Sequence, residues 1–175
     1  LEAAGHRFGT DSDTEVIAHA YEDDPTGFPH RLRGMFAIGV WDAKRRRLFL
    51  ARDRIGVKPL YFTWTPHAFL FASEIKAILA SGLCRRTPHL PVVATFLTEG
   101  RLDETDETFF SGIVRFPAAS AFEIDAAGNY REWRYWSSDA VAVLEPGTDI
   151  PGRFAGLFED SVRLHMRSDV PVGIH

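Results

Sequence analysis

The chain has 175 residues, 45% of them hydrophobic and 25% charged, and its 24 acidic and 20 basic side chains give a formal net charge of −4. This mixture is typical of one globular domain of ordinary size, and it excludes disordered, collagen-like and coiled-coil chains. Fourteen phenylalanines, four tryptophans and four tyrosines predict packing on β-sheets. The slightly acidic balance gives no reason to expect a nucleic-acid partner.

The first helix is predicted from its N-terminal signal. Ser12 followed by Glu15 resembles a capping box, which predicts a helix from Asp13 to about Tyr21. Apolar residues at helical spacing give this helix one buried face.

Four strands are predicted next, as one antiparallel meander. The first, Met35–Trp41, carries apolar residues on both of its alternating faces. This pattern predicts a strand that is covered on both faces. The other three are Arg47–Ala51, Leu60–Trp64 and Phe69–Ala72. Ser73 is then expected to cap a short helix over Glu74–Ala80.

The remaining chain predicts a helix, a hairpin and a second unit. The helix covers Pro91–Thr98, and the hairpin pairs Ser120–Ile124 with Tyr130–Trp136. Residues 137–150 have no clear period and read as a linker. Beyond them a helix ends near Ser168, and Val170–Ile174 has the pattern of a beginning strand.

Targeting and metal signals are weak. Cys84 is the single cysteine and cannot form an intrachain disulfide, so we expect a reducing, cytoplasmic environment. The longest apolar run is far below the ~20 residues needed to span a bilayer, so no membrane partner is expected. The histidines have no metal-ligand spacing and are expected at surface or packing positions, at residues 6, 19, 30, 67, 89, 165 and 175. No metal site is predicted.

Two charged segments leave alternatives open. From physics alone, the favoured interpretation of Ser12–Glu15 is helix capping. The segment Arg52–Pro59 carries four charges beside Gly and Pro between two apolar strands. It is about equally consistent with an ion-pair network and with a local structural loop.

Six motifs together resemble the glutamine-hydrolysing asparagine synthetases, which are class II glutamine amidotransferases. They occur in the family's order and cover nearly the whole chain: residues 5–8 (GHRF), 12–17 (SDTEVI), 31–37 (RLRGMFA), 52–61 (RDRIGVKPLY), 72–77 (ASEIKA) and 160–173 (DSVRL to RSDVPVG).

The resemblance implies an α+β fold in two parts. Residues 1–136 are similar to the C-terminal half of the glutaminase domain, an Ntn-hydrolase-type αββα sandwich, and 137–150 correspond to the linker. Residues 151–175 resemble the first helix and strand of an α/β ATP-pyrophosphatase-like synthetase domain.

The family's reaction is implied in the same way. A terminal cysteine releases ammonia from glutamine through a thioester, and ATP with Mg²⁺ activates aspartate, which the ammonia converts to asparagine with release of AMP and diphosphate. The expected small-molecule partners of the parent enzyme are therefore glutamine, aspartate and ATP, and a homodimer is possible. Two alternative functions stay open: another class II amidotransferase acting on a different carboxylate, and a non-catalytic interaction domain.

One site residue carries over from the family. Asp13 matches the aspartate that holds the α-amino group of glutamine. The nucleophilic cysteine is expected upstream of Leu1, so no catalytic residue is assigned and the fragment alone is expected to be inactive and to bind no cofactor. His175 falls at the edge of the expected ATP loop, where a packing role is favoured.

Overall fold

The computed structural model describes residues 1–140, 144–145, 147–168, 170–171 and 173. The chain divides into two compact units, Leu1–Ser137 and Ser138–His175. No helix in the described part of the chain is both long and apolar enough to cross a bilayer.

The first unit contains seven strands and four α-helices. The strands are β1 (Ala37–Asp42), β2 (Arg47–Arg52), β3 (Tyr61–Trp64), β4 (Phe69–Ala72), β5 (Val114–Arg115), β6 (Ser120–Asp125) and β7 (Tyr130–Arg134). The helices are α1 (Asp13–Asp23), α2 (Phe28–Arg31), α3 (Ile75–Ala80) and α4 (Leu90–Glu99), and Glu2–Ala4 form a 3₁₀ turn.

The strands form two antiparallel sheets, so the predicted four-stranded meander is wrong. One sheet has the order β1-β2-β6-β7 and the other the order β4-β3-β5. The chain leaves the first sheet after β2, and the second edge of β2 is paired by Ala121–Asp125 of β6. β3 and β4 then start the second sheet, which β5 completes.

Alternating side chains of the two central strands of the larger sheet build two separate cores. Phe49 of β2 packs with α1 and α2 residues, and its ring centroid lies 5.1 Å from that of Phe28. Leu50, the next residue, points to the opposite face and joins Phe122 in the second cluster. Phe122 in turn lies 5.3 Å from Phe62 of β3, which joins the two sheets face to face. The larger sheet therefore has helices α1 and α2 on one face and the smaller sheet on the other.

The strands that are covered on both faces are β2 and β6, not β1 as the sequence predicted. β1 forms, but only one of its faces is well covered: Ile38 is buried, whereas Gly39 and Trp41 on the alternate face are exposed, Trp41 by 58%. β1 is also the edge strand of its sheet. β2 and β6 lie between neighbours on both sides, and most of their residues are buried. An apolar run in the sequence does not distinguish an edge strand from a central one.

Most of the remaining predicted elements are confirmed within one or two residues. The hairpin of β6 and β7 turns where the sequence predicts, because the Asp125 carboxylate accepts hydrogen bonds from the backbone of Ala127 and Asn129. The predicted cap at Ser73 is wrong. The residue before α3 is Glu74, and it provides no side-chain cap.

The second unit contains a 3₁₀ turn at Ser138–Ala140 and helix α5 (Ile150–His165). Asp149 caps α5, because its side chain accepts a hydrogen bond of 3.0 Å from the backbone N–H of Gly152. The strand predicted at Val170–Ile174 lies partly outside the described residues, as does part of the predicted linker.

Candidate functional site

Asp13 lies in the first turn of α1 and is exposed. The helix is capped by its neighbour Ser12, whose Oγ accepts a hydrogen bond of 3.2 Å from the N–H of Thr14. The Asp13 carboxylate accepts one long bond of 3.4 Å, from the Thr14 hydroxyl. Ser12 therefore supplies the side-chain cap of the helix, and the exposed Asp13 carboxylate is accessible to a ligand.

Glu15 does not close a capping box. Its carboxylate instead accepts hydrogen bonds from the backbone N–H groups of Gly9 and Thr10, each 2.7 Å long, and from the Thr10 hydroxyl at 2.5 Å. These bonds, that from Gly9 first, lower the pKa of Glu15 to about 2. The ionised side chain therefore fastens the segment before α1 to the helix, whose first residue is Asp13.

The loop after β2 is organised by the carboxylate of Asp53. This residue is 1% exposed. Its Oδ1 accepts from the backbone N–H groups of Ile55 and Val57 at 3.3 and 2.9 Å, and its Oδ2 from those of Lys58 and Phe36 at 3.0 and 3.3 Å. One buried carboxylate thus fixes the shape of the loop and joins it to the residue before β1.

Arg52 completes the same loop from the other side. It is 7% exposed, and its guanidinium donates to the carbonyl oxygens of Lys58, Phe116 and Gly56 at 2.6, 2.7 and 2.6 Å. Burial lowers the pKa of Arg52. The charges of Arg52 and Asp53 are thus satisfied by backbone groups, which favours the local structural loop over the ion-pair network.

The lone thiol does not form a nucleophilic site. Cys84 is half-buried, and its Sγ lies 3.7 Å from the carbonyl oxygen of Ile78. A cysteine nucleophile needs an adjacent base or another group that lowers its pKa, and a backbone carbonyl supplies neither. No catalytic residue is therefore assigned within the described residues, and the role of Asp13 stays a prediction. His175 lies outside the described residues.

Two histidines that the sequence did not connect meet beside α1. Nδ1 of His6 lies 3.0 Å from Nδ1 of His19, with Glu22 close to both. His19 and Glu22 are three residues apart on one helix face, which the sequence does indicate. His6 approaches from the segment before the helix, and no spacing rule predicts that approach.

A family model described as "Glutamine amidotransferase domain" matches residues 1–136. Among curated proteins, the chain is 37% identical to asparagine synthetase [glutamine-hydrolyzing] 3 of Bacillus subtilis (strain 168), over 98% of this chain and 28% of that protein. It is 36% identical to asparagine synthetase [glutamine-hydrolyzing] 2 of the same organism, over 97% of this chain and 24% of that protein. The chain thus spans about a quarter of the length of these relatives.

A solved structure has a similar fold. It is glutamine phosphoribosylpyrophosphate amidotransferase from B. subtilis complexed with ADP and GMP, with a TM-score of 0.52 and 20% sequence identity, and the match covers 77% of this chain and 25% of that one. This likeness supports the Ntn-type two-sheet fold expected from the resemblance. Since the family model matches most of the sequence, the chain belongs to the glutamine amidotransferase domain family.

Proposed function

We propose that this chain supplies part of the glutamine site of a glutamine-hydrolysing asparagine synthetase, with Asp13 as the residue that receives the α-ammonium group of glutamine. In this reaction the side-chain amide of glutamine is hydrolysed by water to glutamate and ammonia, and ATP activates the side-chain carboxylate of aspartate. Ammonia then attacks the activated carboxylate, which yields asparagine, AMP and diphosphate. The relatives' names and the near-complete coverage of this chain support the assignment.

The exposed carboxylate of Asp13 is the observation that carries the proposal. An ammonium group and a carboxylate form a charge-assisted hydrogen bond, a contact worth about 1.5 to 3 kcal/mol. Ser12 caps the helix and Glu15 binds the preceding segment, so the Asp13 carboxylate makes neither of these contacts. A ligand can therefore bind this carboxylate without the helix losing its cap.

We further propose that the part of the chain from residue 151 onward begins the synthetase domain. The family model ends at residue 136, whereas the relatives match almost all of the chain. In α5, three large apolar side chains on one face are more than half exposed: Phe154, Leu157 and Phe158. The resemblance assigns no described residue to ATP or Mg²⁺.

The test is the nitrogen-donor dependence of the protein expressed from its complete gene. Asp13→Ala should raise the KM for glutamine roughly 10- to 100-fold, at about 1.4 kcal/mol per factor of ten. Synthesis driven by added ammonia should stay within a few-fold of wild type, because ammonia does not use the glutamine site. Both activities are measured at saturating ATP and aspartate.

Asp11→Ala is the matched control, since Asp11 is an exposed carboxylate two residues away. It should leave the KM for glutamine unchanged. An unchanged KM in Asp13→Ala would remove Asp13 from the glutamine site. Equal losses with glutamine and ammonia, together with a lower melting temperature, would assign it a structural role instead. The acceptor is tested separately, because an enzyme that uses another carboxylate in place of aspartate would refute the asparagine synthetase assignment.

A further inference from the structure

The residues His6, His19 and Glu22 form a compact three-ligand cluster, here called the histidine cluster. One ligand atom from each side chain lies within 4.8 Å of the other two. Nδ1 of His6 is 3.0 Å from Nδ1 of His19, and the Glu22 carboxylate is 3.4 Å from the His19 nitrogen and 4.0 Å from the His6 nitrogen. Ligands about 2.0 to 2.1 Å from a tetrahedral zinc ion lie roughly 3.3 Å apart, so these separations fit one cation.

The local sequence explains how the cluster forms. Gly5, with φ of +94°, turns the chain after the 3₁₀ turn and delivers His6 to the side of α1. His19 and Glu22 face it from one side of the helix, because residues three apart share a face. Phe8 packs edge-on against the His19 ring, with ring centroids 4.9 Å apart, and helps to fix that ring.

Carboxylates lie behind both imidazoles, on the side away from the cluster. Nε2 of His6 is 2.7 Å from the Asp23 carboxylate, and Nε2 of His19 is 3.7 Å from that of Glu15. Metal-binding histidines commonly donate their second N–H to a carboxylate, which leaves the other nitrogen free to ligate. For His6 this arrangement is formed at hydrogen-bonding distance, with its Nδ1 facing the cluster.

Burial distinguishes the solvent side of the cluster from its protein side. The side chains of His6 and His19 are 16% and 20% exposed, whereas that of Glu22 is 69% exposed. A bound cation would therefore have three protein ligands and one position open to water, and two imidazoles with one carboxylate suit Zn²⁺.

We propose that His6, His19 and Glu22 bind one zinc-type divalent cation, with Asp23 orienting His6 from behind. The site would link the segment before α1 to the helix that carries Asp13, independently of the function proposed above. It departs from the sequence prediction of no metal site, because that prediction considered spacing along the chain and these ligands come from two separate segments. The competing arrangement is a direct hydrogen bond between the two imidazoles without a metal.

Zinc binding is measured on the chain without a histidine tag, after removal of metals with a chelator and by competition with a chromophoric Zn²⁺ indicator. We expect one equivalent to bind, and Co²⁺ to give the visible absorption of a tetrahedral site. His19→Ala and Glu22→Gln should each weaken Zn²⁺ binding by at least tenfold. Asp23→Asn, which keeps all three ligands, should weaken it about 10- to 100-fold.

His67→Ala is the matched control, because this histidine lies in the turn between β3 and β4, outside the cluster, and it should bind Zn²⁺ like wild type. Glu22 is largely exposed, so Glu22→Gln tests the site in a variant that remains folded. Saturating Zn²⁺ should raise the melting temperature of wild type and of His67→Ala but not that of His19→Ala. Unchanged affinity in His19→Ala and Glu22→Gln, or no stoichiometric binding by wild type, would overturn the proposal in favour of the direct hydrogen bond.

Discussion

Replacing Asp53 by asparagine should destabilise the first unit, because it exchanges one of two hydrogen-bond acceptors of a buried side chain for a donor. Each carboxylate oxygen of Asp53 accepts from two backbone N–H groups. Asparagine keeps one of these acceptors and puts an NH₂ donor in place of the other. Whichever way the amide is oriented, two backbone donors then face a donor.

The size of the effect follows from those two donors. A buried donor left without its partner costs about 1 to 3 kcal/mol. Ile55 and Val57 of the loop are exposed, at 77% and 46%, so water can relieve part of the loss. We therefore expect the free energy of unfolding to fall by about 2 to 4 kcal/mol. For a chain of this length, this corresponds to about 4 to 16 °C in melting temperature.

Urea unfolding followed by circular dichroism measures the change, with Asp11→Asn as the control. That substitution removes the same charge from an exposed position and should stay within about 0.5 kcal/mol of wild type. If Asp53→Asn also stays within 0.5 kcal/mol of wild type, the loop does not depend on its carboxylate, and the structural interpretation of Arg52–Pro59 fails.

Two further predictions concern the same loop and its neighbour. Gly56 and Gly82 both have positive φ, +69° and +72°. A Cβ on Gly56 would lie 3.1 Å from the Arg52 guanidinium carbon, whereas a Cβ on Gly82 would meet no atom within 4 Å. Gly56→Ala should therefore lower the free energy of unfolding by at least 1 kcal/mol more than Gly82→Ala in urea titrations. Equal losses would contradict the close approach of the Arg52 guanidinium to residue 56. The Tyr135 hydroxyl donates to the Arg52 carbonyl at 2.6 Å, and burial raises the pKa of Tyr135 from 10.0 to about 12. Since the unfolded chain then loses this proton first, stability should fall as pH rises from 10 through 12, and Tyr135→Phe should reduce that fall in unfolding curves recorded across this range.

The sequence by itself predicted the features that depend on nearby residues. Hairpin turns, the start of α1 and the helix of the second unit are set by side chains within a few positions of each other. Asp125 hydrogen-bonds the turn that follows it, and Ser12 caps the helix that begins beside it. The order of six local motifs was also enough to identify the family, which the match to residues 1–136 confirms.

Tertiary structure decided which distant segments meet. β2 pairs with β6 about 70 residues later, so the four early strands divide between two sheets. Glu15 binds the Gly9–Thr10 segment rather than the helix cap, and His6 reaches His19 from outside the helix. Strand pairing and such side-chain meetings depend on which faces are buried together when the layers pack, and a local pattern of apolar and polar residues does not carry that information.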